Sequence, residues 1–196
     1  MSGGFTLKDN VIIIHRELTD LDLFVKDFLE VLKKHCKYLI VSGFVSIASG
    51  RTRGTEDVDV LIPKLPKELF EKLFLDLTEN GFWCYQGEDS GELLSYVNDL
   101  QSIRFAKNDS MFPNMEVIPT DESRKAKFYE FLHPQKMQVE DFVFNVPPIE
   151  FEILYKEIIL AGDKDLADAK HLRSFFKDIL KEEKFLEYEP IIRGEL

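Results

Sequence analysis

The chain has 196 residues, 44% of them apolar and 17 of them Phe, enough to bury a core and to exclude a wholly disordered polymer. Its net charge of −11 excludes a broad basic stripe for nucleic-acid backbone, though not a small basic pocket. Two cysteines without metal-ligand spacing, no secretory leader and no long apolar run lead us to expect a cytoplasmic protein with reduced thiols and no membrane contact.

Taken from the N-terminus, Ser2, Gly3 and Gly4 make a mobile start, and Val11–Ile14 reads as a short edge strand or as a lead into the next helix. Thr19 or Asp20 can cap a helix to about Lys34, whose Leu21, Phe24, Val25, Phe28, Leu29 and Leu32 recur at three and four. His35 beyond it reads as a surface residue. Tyr38–Val41 is a buried strand, Gly43 turns the chain, Phe44–Ser49 is a short helix, and Gly50 ends it. Thr55–Ile62 is a second strand closed by Pro63 and Pro66, followed by a helix from Lys67 to Glu79 with Gly81 just past its end.

Phe82–Tyr85 reads as a strand and Glu92–Val97 as a helical turn, with a polar loop between. Ser102–Lys107 and Asn114–Pro119 are two strands around the turn-rich KNDSMFP, and Asp121–Leu132 is a linker with a short helix. Met137–Val139 and Phe142–Val146 form a hairpin. Past Pro147 and Pro148, one helix runs Ile149–Ala161, with Leu160 among its buried residues. Another runs from a cap at Asp163 to about Leu180, with Leu166 inside; the acidic tail Lys181–Leu196 is half ordered. This order predicts an α+β class: a small mixed β-sheet flanked by helices over 1–146, and a C-terminal helical segment, 147–196, packed on it.

The chemistry concentrates on the second strand. Residues two apart on a strand share a face roughly 6.6 Å apart, so Asp57 and Asp59 project together while Val58, Val60 and Ile62 face a core. Paired carboxylates repel and are costly to desolvate, and a hard divalent cation suits them. Other readings fail. Gly43 and Gly50 are spaced too widely for a Walker loop, no G-x-G-x-x-G occurs, and nothing suggests a Ser/His/Asp triad.

IVSGFVSIASGRTRGTEDVDVLI, with a glycine at each end of a short helix and R-x-T-x-D-h-D after it, resembles the nucleotidyltransferase superfamily. That superfamily includes DNA polymerase beta, kanamycin nucleotidyltransferase and the AbiEii-type toxins of toxin–antitoxin systems. VPPIEFEILYKEIILAGDKDLADAKHL is similar to an AbiEii-like segment in Glu150, Lys156, Lys164, Asp165 and Asp168. The resemblance implies a nucleotidyltransferase fold and Mg²⁺-dependent transfer of a nucleoside monophosphate from an NTP to a hydroxyl. Two Mg²⁺ ions (Mn²⁺ as a substitute) would be held by Asp57, Asp59 and a third carboxylate. Glu116, alternating with Met115 and Val117, is placed for that role ahead of Asp109 or Asp121. The implied nucleotide-binding set is Ser42, Gly43, Ser46, Arg51, Arg53, Thr55, Lys156, Lys164, Asp165 and Asp168.

Phe44 departs from relatives that carry Gly or Ser there, so the phosphate-contacting hydroxyl falls to Ser42 or Ser46, or is lost. A non-catalytic NTP-binding protein, one half of a toxin–antitoxin pair, is the alternative. Several residues also have plain readings. Arg51 and Arg53 can simply neutralise the paired aspartates, Lys164 and Asp168 can form a helix ion pair, Asp165 can complement a helix dipole, and Lys156 can snorkel. The acceptor, whether small molecule, tRNA or protein, leaves no mark in the sequence.

Overall fold

The computed structural model describes residues 4–108 and 110–196; Ser2, Gly3 and Asp109 lie outside them. Nine strands and eight α-helices follow in chain order among the described residues. They are β1 Phe5–Lys8, β2 Val11–Ile14, α1 Asp20–Leu32, β3 Leu39–Ile40, α2 Gly43–Ala48, β4 Asp57–Pro63, α3 Lys67–Glu79, β5 Phe82–Cys84 and α4 Ser90–Asn98. Then come β6 Ile103–Lys107, β7 Asn114–Thr120, α5 Lys125–Leu132, β8 Gln135–Val139, β9 Phe142–Val146, α6 Ile149–Tyr155, α7 Asp163–Phe175 and α8 Glu182–Arg193. No described helix is long and apolar enough to cross a membrane.

The strands form two sheets. The larger runs β3-β4-β7-β6-β5, with β4 and β7 parallel and the other pairs antiparallel. The smaller runs β1-β2-β8-β9. β2 therefore lies inside a sheet, paired to β1 and in parallel to β8, and is neither an edge strand nor a helix lead. Its run of isoleucines suits that interior place, because Ile12 and Ile14 are buried.

Alternation on β4 gives the larger sheet two unlike faces. Val58, Val60 and Ile62 are fully buried in the main core. Phe28 of α1 meets Phe82 and Phe105 in that core at 5.1 and 5.9 Å between ring centroids. On the other face stand Asp57 and Asp59, half-buried, and then Leu61, which packs with Leu39, Val41 and Phe131 in a small separate cluster. Phe131 belongs to α5, so that helix covers one end of the carboxylate face.

α1 begins with a capping box at Thr19 and Asp22. The Asp22 carboxylate is buried; burial would raise its pKa, but the Arg16 guanidinium and the Thr19 donors hold it below the usual value. Arg16 grips it at 2.6 and 2.8 Å and also donates to Ala48 O at 3.0 Å, tying the end of α2 to the start of α1.

The C-terminal tail differs from expectation. Residues 182–193 are helical in α8, with Phe185, Tyr188 and Ile192 buried. Tyr188 meets Tyr129 of α5 and Phe151 of α6 edge-on, at 6.0 and 5.5 Å. Acidic composition hid a helix whose order comes from aromatic packing. Leu160 and Leu166, expected inside, are 41% and 46% exposed. The reason for Leu160 is local: the chain passes from α6 into a π-helical turn at Lys156–Leu160, ended by Ala161 in the left-handed region, which rotates the apolar stripe.

Phe44 is fully buried, 5.6 Å from Phe144 of β9, and so joins α2 to the smaller sheet. Phe44→Ser is expected to cost about 3–5 kcal/mol. Urea denaturation checks this; a loss under about 1 kcal/mol would mean that the aromatic anchor is dispensable.

Candidate active site

The parallel register of β4 and β7 sets Asp59 opposite Glu116 and Asp57 opposite Asn114. Register partners share a face, so Asp57, Asp59 and Glu116 stand on one patch of the larger sheet. Arg104, opposite Glu116 on β6, closes the row. It donates to Glu116 Oε2 at 2.8 Å and lies 4.0 Å from Asp57 Oδ1. Ser102 Oγ donates to the other Glu116 oxygen at 2.5 Å, and Asn114 Nδ2 donates to Asp57 Oδ1 at 2.8 Å.

Burial, and then the charge of Glu116, push Asp59 up to about 6, against the hydrogen bond from the Ser42 hydroxyl and the charge of Lys127. Three carboxylates crowded on one face form an acceptor-only oxygen set of the kind a hard cation relieves. Among the described residues they do not already enclose an ion-sized point. Arg104 is the cation that balances them.

Of the alternatives for a third carboxylate, Asp121 folds back on Ser123, accepting from its N at 3.0 Å and Oγ at 2.6 Å. Asp109 lies outside the described residues. Thr55 Oγ1 donates to Asp57 O at 2.7 Å and so steadies the start of β4. Ser46 is fully buried with its Oγ unpartnered, which leaves Ser42 as the hydroxyl that faces the carboxylates. Ser42 itself holds a positive φ of 63°.

The basic residues gather elsewhere. Arg51 donates to Asp168 Oδ1; Arg53 donates to Asp168 Oδ2 at 3.0 Å, and Lys156 Nζ lies 3.2 Å from the same oxygen. Asp168 is fully buried, and so is Lys156, which faces this carboxylate rather than snorkelling to water. The two arginines thus neutralise Asp168, not the paired aspartates beside them in sequence. Lys156 also stands 3.2 Å from Glu152 and 4.0 Å from Asp165. Lys164 is exposed and makes no ion pair with Asp168 among the described residues; Glu150 accepts from Lys181 N at 3.0 Å.

Gly43 has a specific reason here. A Cβ on it would stand 2.2 Å from Arg53 Nη2, so the guanidinium crosses the space a side chain would fill.

A common wall and an ion pair join the two clusters. Ser42, Asp59 and Glu152 border a common space, and Glu152 lies 3.2 Å from Lys156. That space is a cavity of about 200 Å³ lined by Asp59, Ser42, Lys127, Glu130, Glu152 and Tyr155, with Val41, Ile118 and Leu160. A larger groove of about 380 Å³, lined by Gln135, Pro148 and Lys184 among others, touches none of the carboxylates on β4 and β7. Sequence reasoning missed Arg104, Lys127, Glu130 and Glu152. On their own helices and strands they look like ordinary surface charges, and only the pairing of distant elements brings them together.

No protein-family model matches the chain, and no curated protein sequence does. Among solved structures, the lincosamide antibiotic adenylyltransferase LnuA with lincomycin bound aligns with a TM-score of 0.50 at 13% identity, covering 82% of this chain and 99% of that one. The fold is a nucleotidyltransferase fold. Two structures of ANT(2″)-Ia, one in complex with adenylyl-2″-tobramycin, align at 12% identity with TM-scores of 0.49 and 0.48.

Two outcomes follow from the buried charges. Asp168→Asn leaves three cations facing a neutral amide, and a loss of about 3–5 kcal/mol is expected in urea denaturation. Glu130 is pushed up to about 8 by burial, against Lys127 and helped by Glu152 and Glu195. The folded state therefore binds the extra proton, and stability falls as pH rises from the unfolded value of 4.5 toward about 8. The stability of Glu130→Gln relative to wild type should grow between pH 5 and 8; parallel curves would contradict the assignment.

Proposed function

We propose that the protein transfers a nucleoside monophosphate from an NTP to a hydroxyl acceptor, releasing pyrophosphate, with Asp57, Asp59 and Glu116 at the reacting centre. The observation that carries this is the register: Asp59 opposite Glu116, with Asp57 on the same face, on a nucleotidyltransferase fold. The acceptor oxygen would attack the α-phosphorus, the bond to the β-phosphate bridging oxygen would break, and the hydroxyl proton would leave to a carboxylate or to solvent. Bound by these three residues, Mg²⁺ (or Mn²⁺) would neutralise phosphate charge and lower the pKa of the acceptor hydroxyl.

The chain's own groups prepare that patch. Ser42 orients Asp59, Asn114 orients Asp57, and Ser102 with Arg104 holds Glu116. We place the triphosphate along the side bounded by Ser42, Gly43, Arg51 and Arg53, with Lys156, Lys164, Asp165 and Asp168 behind or beside them. Arg51, Arg53 and Lys156 are committed to Asp168, so their part is to fix the α2–β4 loop, or to exchange that carboxylate for phosphate. Thr55 keeps the register of β4, and Ser46 packs inside α2. The AbiEii-type kinship and a cytoplasmic setting belong to this reading too.

A second reading keeps NTP binding without turnover, as a regulatory protein or one half of a toxin–antitoxin pair. Arg104, already seated among the carboxylates, is the observation that favours it.

Incubation with Mg²⁺ and each NTP, with small hydroxylated compounds, tRNA or protein as acceptors, should release pyrophosphate. Asp59→Asn should lower that release about a hundredfold or more without lowering thermal stability, since it removes a desolvated, repelled charge. NTP binding with no release across all acceptors would favour the second reading, and absence of NTP binding would overturn both.

A further inference from the structure

We infer that Tyr85 is a self-nucleotidylation site: given an NTP, its phenolic oxygen accepts a nucleoside monophosphate at this chain's own acidic face. This rests on the transferase reading above, and strand register again carries it. Tyr85 N donates to Arg104 O at 2.9 Å, which takes the β5–β6 ladder one residue past Cys84. Phe82 and Cys84 are buried in the main core, so Trp83 and Tyr85 stand on the other face of the sheet. That is the face of Asp57, Asp59 and Glu116. Each of its rows therefore ends in an aromatic ring. Tyr85 lies beyond Arg104, Glu116 and Asp59, and Trp83 lies beyond Ala106, Asn114 and Asp57.

The phenol is held toward the acids. Trp83 stacks on the Tyr85 ring, with 4.8 Å between centroids and 24° between planes. Trp83 Nε1 in turn donates to Lys107 O and Ser110 O, each at 3.0 Å. The Tyr85 hydroxyl donates to Met111 O, in the loop that leads into β7. It thus points from β5 across β6 toward the start of β7, a span of two strand spacings, or roughly 10 Å. Ala106 holds the intervening place in the neighbouring row, with a side chain too small to block the way. At the start of β7, Asn114 donates to Asp57 Oδ1 at 2.8 Å. Burial raises the phenol's pKa against the Asn114 amide; the Asp57 charge adds to the rise and Arg104 counters it. The hydroxyl is therefore neutral at pH 7, and needs a base to take its proton as it attacks.

Other hydroxyls on this face serve the acids themselves. Ser102 donates to Glu116, and Thr55 donates to the backbone of Asp57. Tyr85 gives its proton to a loop carbonyl instead, and a side-chain rotation releases it. In the transfer, Tyr85 Oη bonds to the α-phosphorus and the bond from that phosphorus to the β-phosphate bridging oxygen breaks. Pyrophosphate leaves with the electron pair, and the phenolic proton passes to Asp57 or to water. The product is a tyrosyl phosphodiester. Its negative charge falls beside Arg104, whose side chain is 40% exposed. Its base finds apolar surface at Met111 and Phe112, which are 57% and 50% exposed.

The experiment incubates the full chain with Mg²⁺ and each NTP in turn, without an acceptor, and follows intact mass and peptide maps by mass spectrometry. A gain of a single nucleoside monophosphate on Tyr85 is expected, at a rate per molecule unchanged on dilution. Tyr85→Phe keeps the stacked ring, and should abolish the gain while remaining folded by circular dichroism and binding NTP as wild type does in calorimetry. Asp59→Asn should abolish the gain as well. An adduct on another residue, an adduct that survives Asp59→Asn, or no adduct with any NTP overturns the inference. The transferase reading is judged separately: pyrophosphate release to an added acceptor, without an adduct, leaves it standing. Absence of NTP binding takes both down.

Discussion

A single buried carboxylate, Asp168, ties the loop before β4 to the C-terminal helices. Arg51 and Arg53 come from the loop before β4, Lys156 comes from the π turn after α6, and all three converge on a side chain with no solvent exposure. A cluster of this kind contributes little net stability against apolar packing, but losing one member leaves charges stranded where water cannot reach them. Its effect is therefore on geometry. It sets where the loop enters β4, and so fixes where Asp57 and Asp59 emerge. Through Lys156 the same network reaches Glu152, which shares a cavity wall with Asp59.

The π turn belongs to this arrangement. Tyr155 and Lys156 keep the directions that α6 gives them, one toward the cavity and one toward Asp168. The extra residue of the turn shifts the chain after them, where Leu160 comes to the surface and α7 begins. Gly43 serves the same end from the other side, because only a missing side chain lets the Arg53 guanidinium cross α2. Phe44 shows how tightly its neighbour's place is constrained: the residue that follows Gly43 is a core anchor against Phe144.

Much of this was legible in residues close in sequence. The alternation of Asp57, Val58, Asp59 and Val60 gave the two faces of β4, and Met115, Glu116 and Val117 did the same for β7. α3 matched its periodicity from end to end. What escaped depended on contacts between distant segments. Arg51 and Asp168 lie 117 residues apart, and no local pattern says which carboxylate an arginine will choose. Lys127 and Glu130, three apart on a short helix, carry no local pattern that distinguishes them from solvated charges; only α5 lying over the sheet does so. α8, acidic and carrying Pro190, owes its order to Tyr188 meeting aromatic partners from α5 and α6.

The carboxylate face raises the question of how like charges on adjacent strands coexist without opening the sheet. The answer lies in its rows. One row reads Arg104, Glu116, Asp59 and the next Ala106, Asn114, Asp57, so the row with two acids carries the cation and the other interposes an amide. Cross-strand pairs of opposite charge stabilise a sheet modestly, and like charges directly opposite do the reverse. Asp59 and Glu116 are such a like pair, and the Glu116 charge adds to burial in raising the Asp59 pKa. With Arg104 partly exposed and held mainly by Glu116, the strain stays at the one carboxylate that borders both the acidic face and the cavity. A cation arriving there would meet the most poorly compensated acid on the face. Charge balance and access thus meet at Asp59: the side chain that most needs a positive neighbour also forms part of the cavity wall.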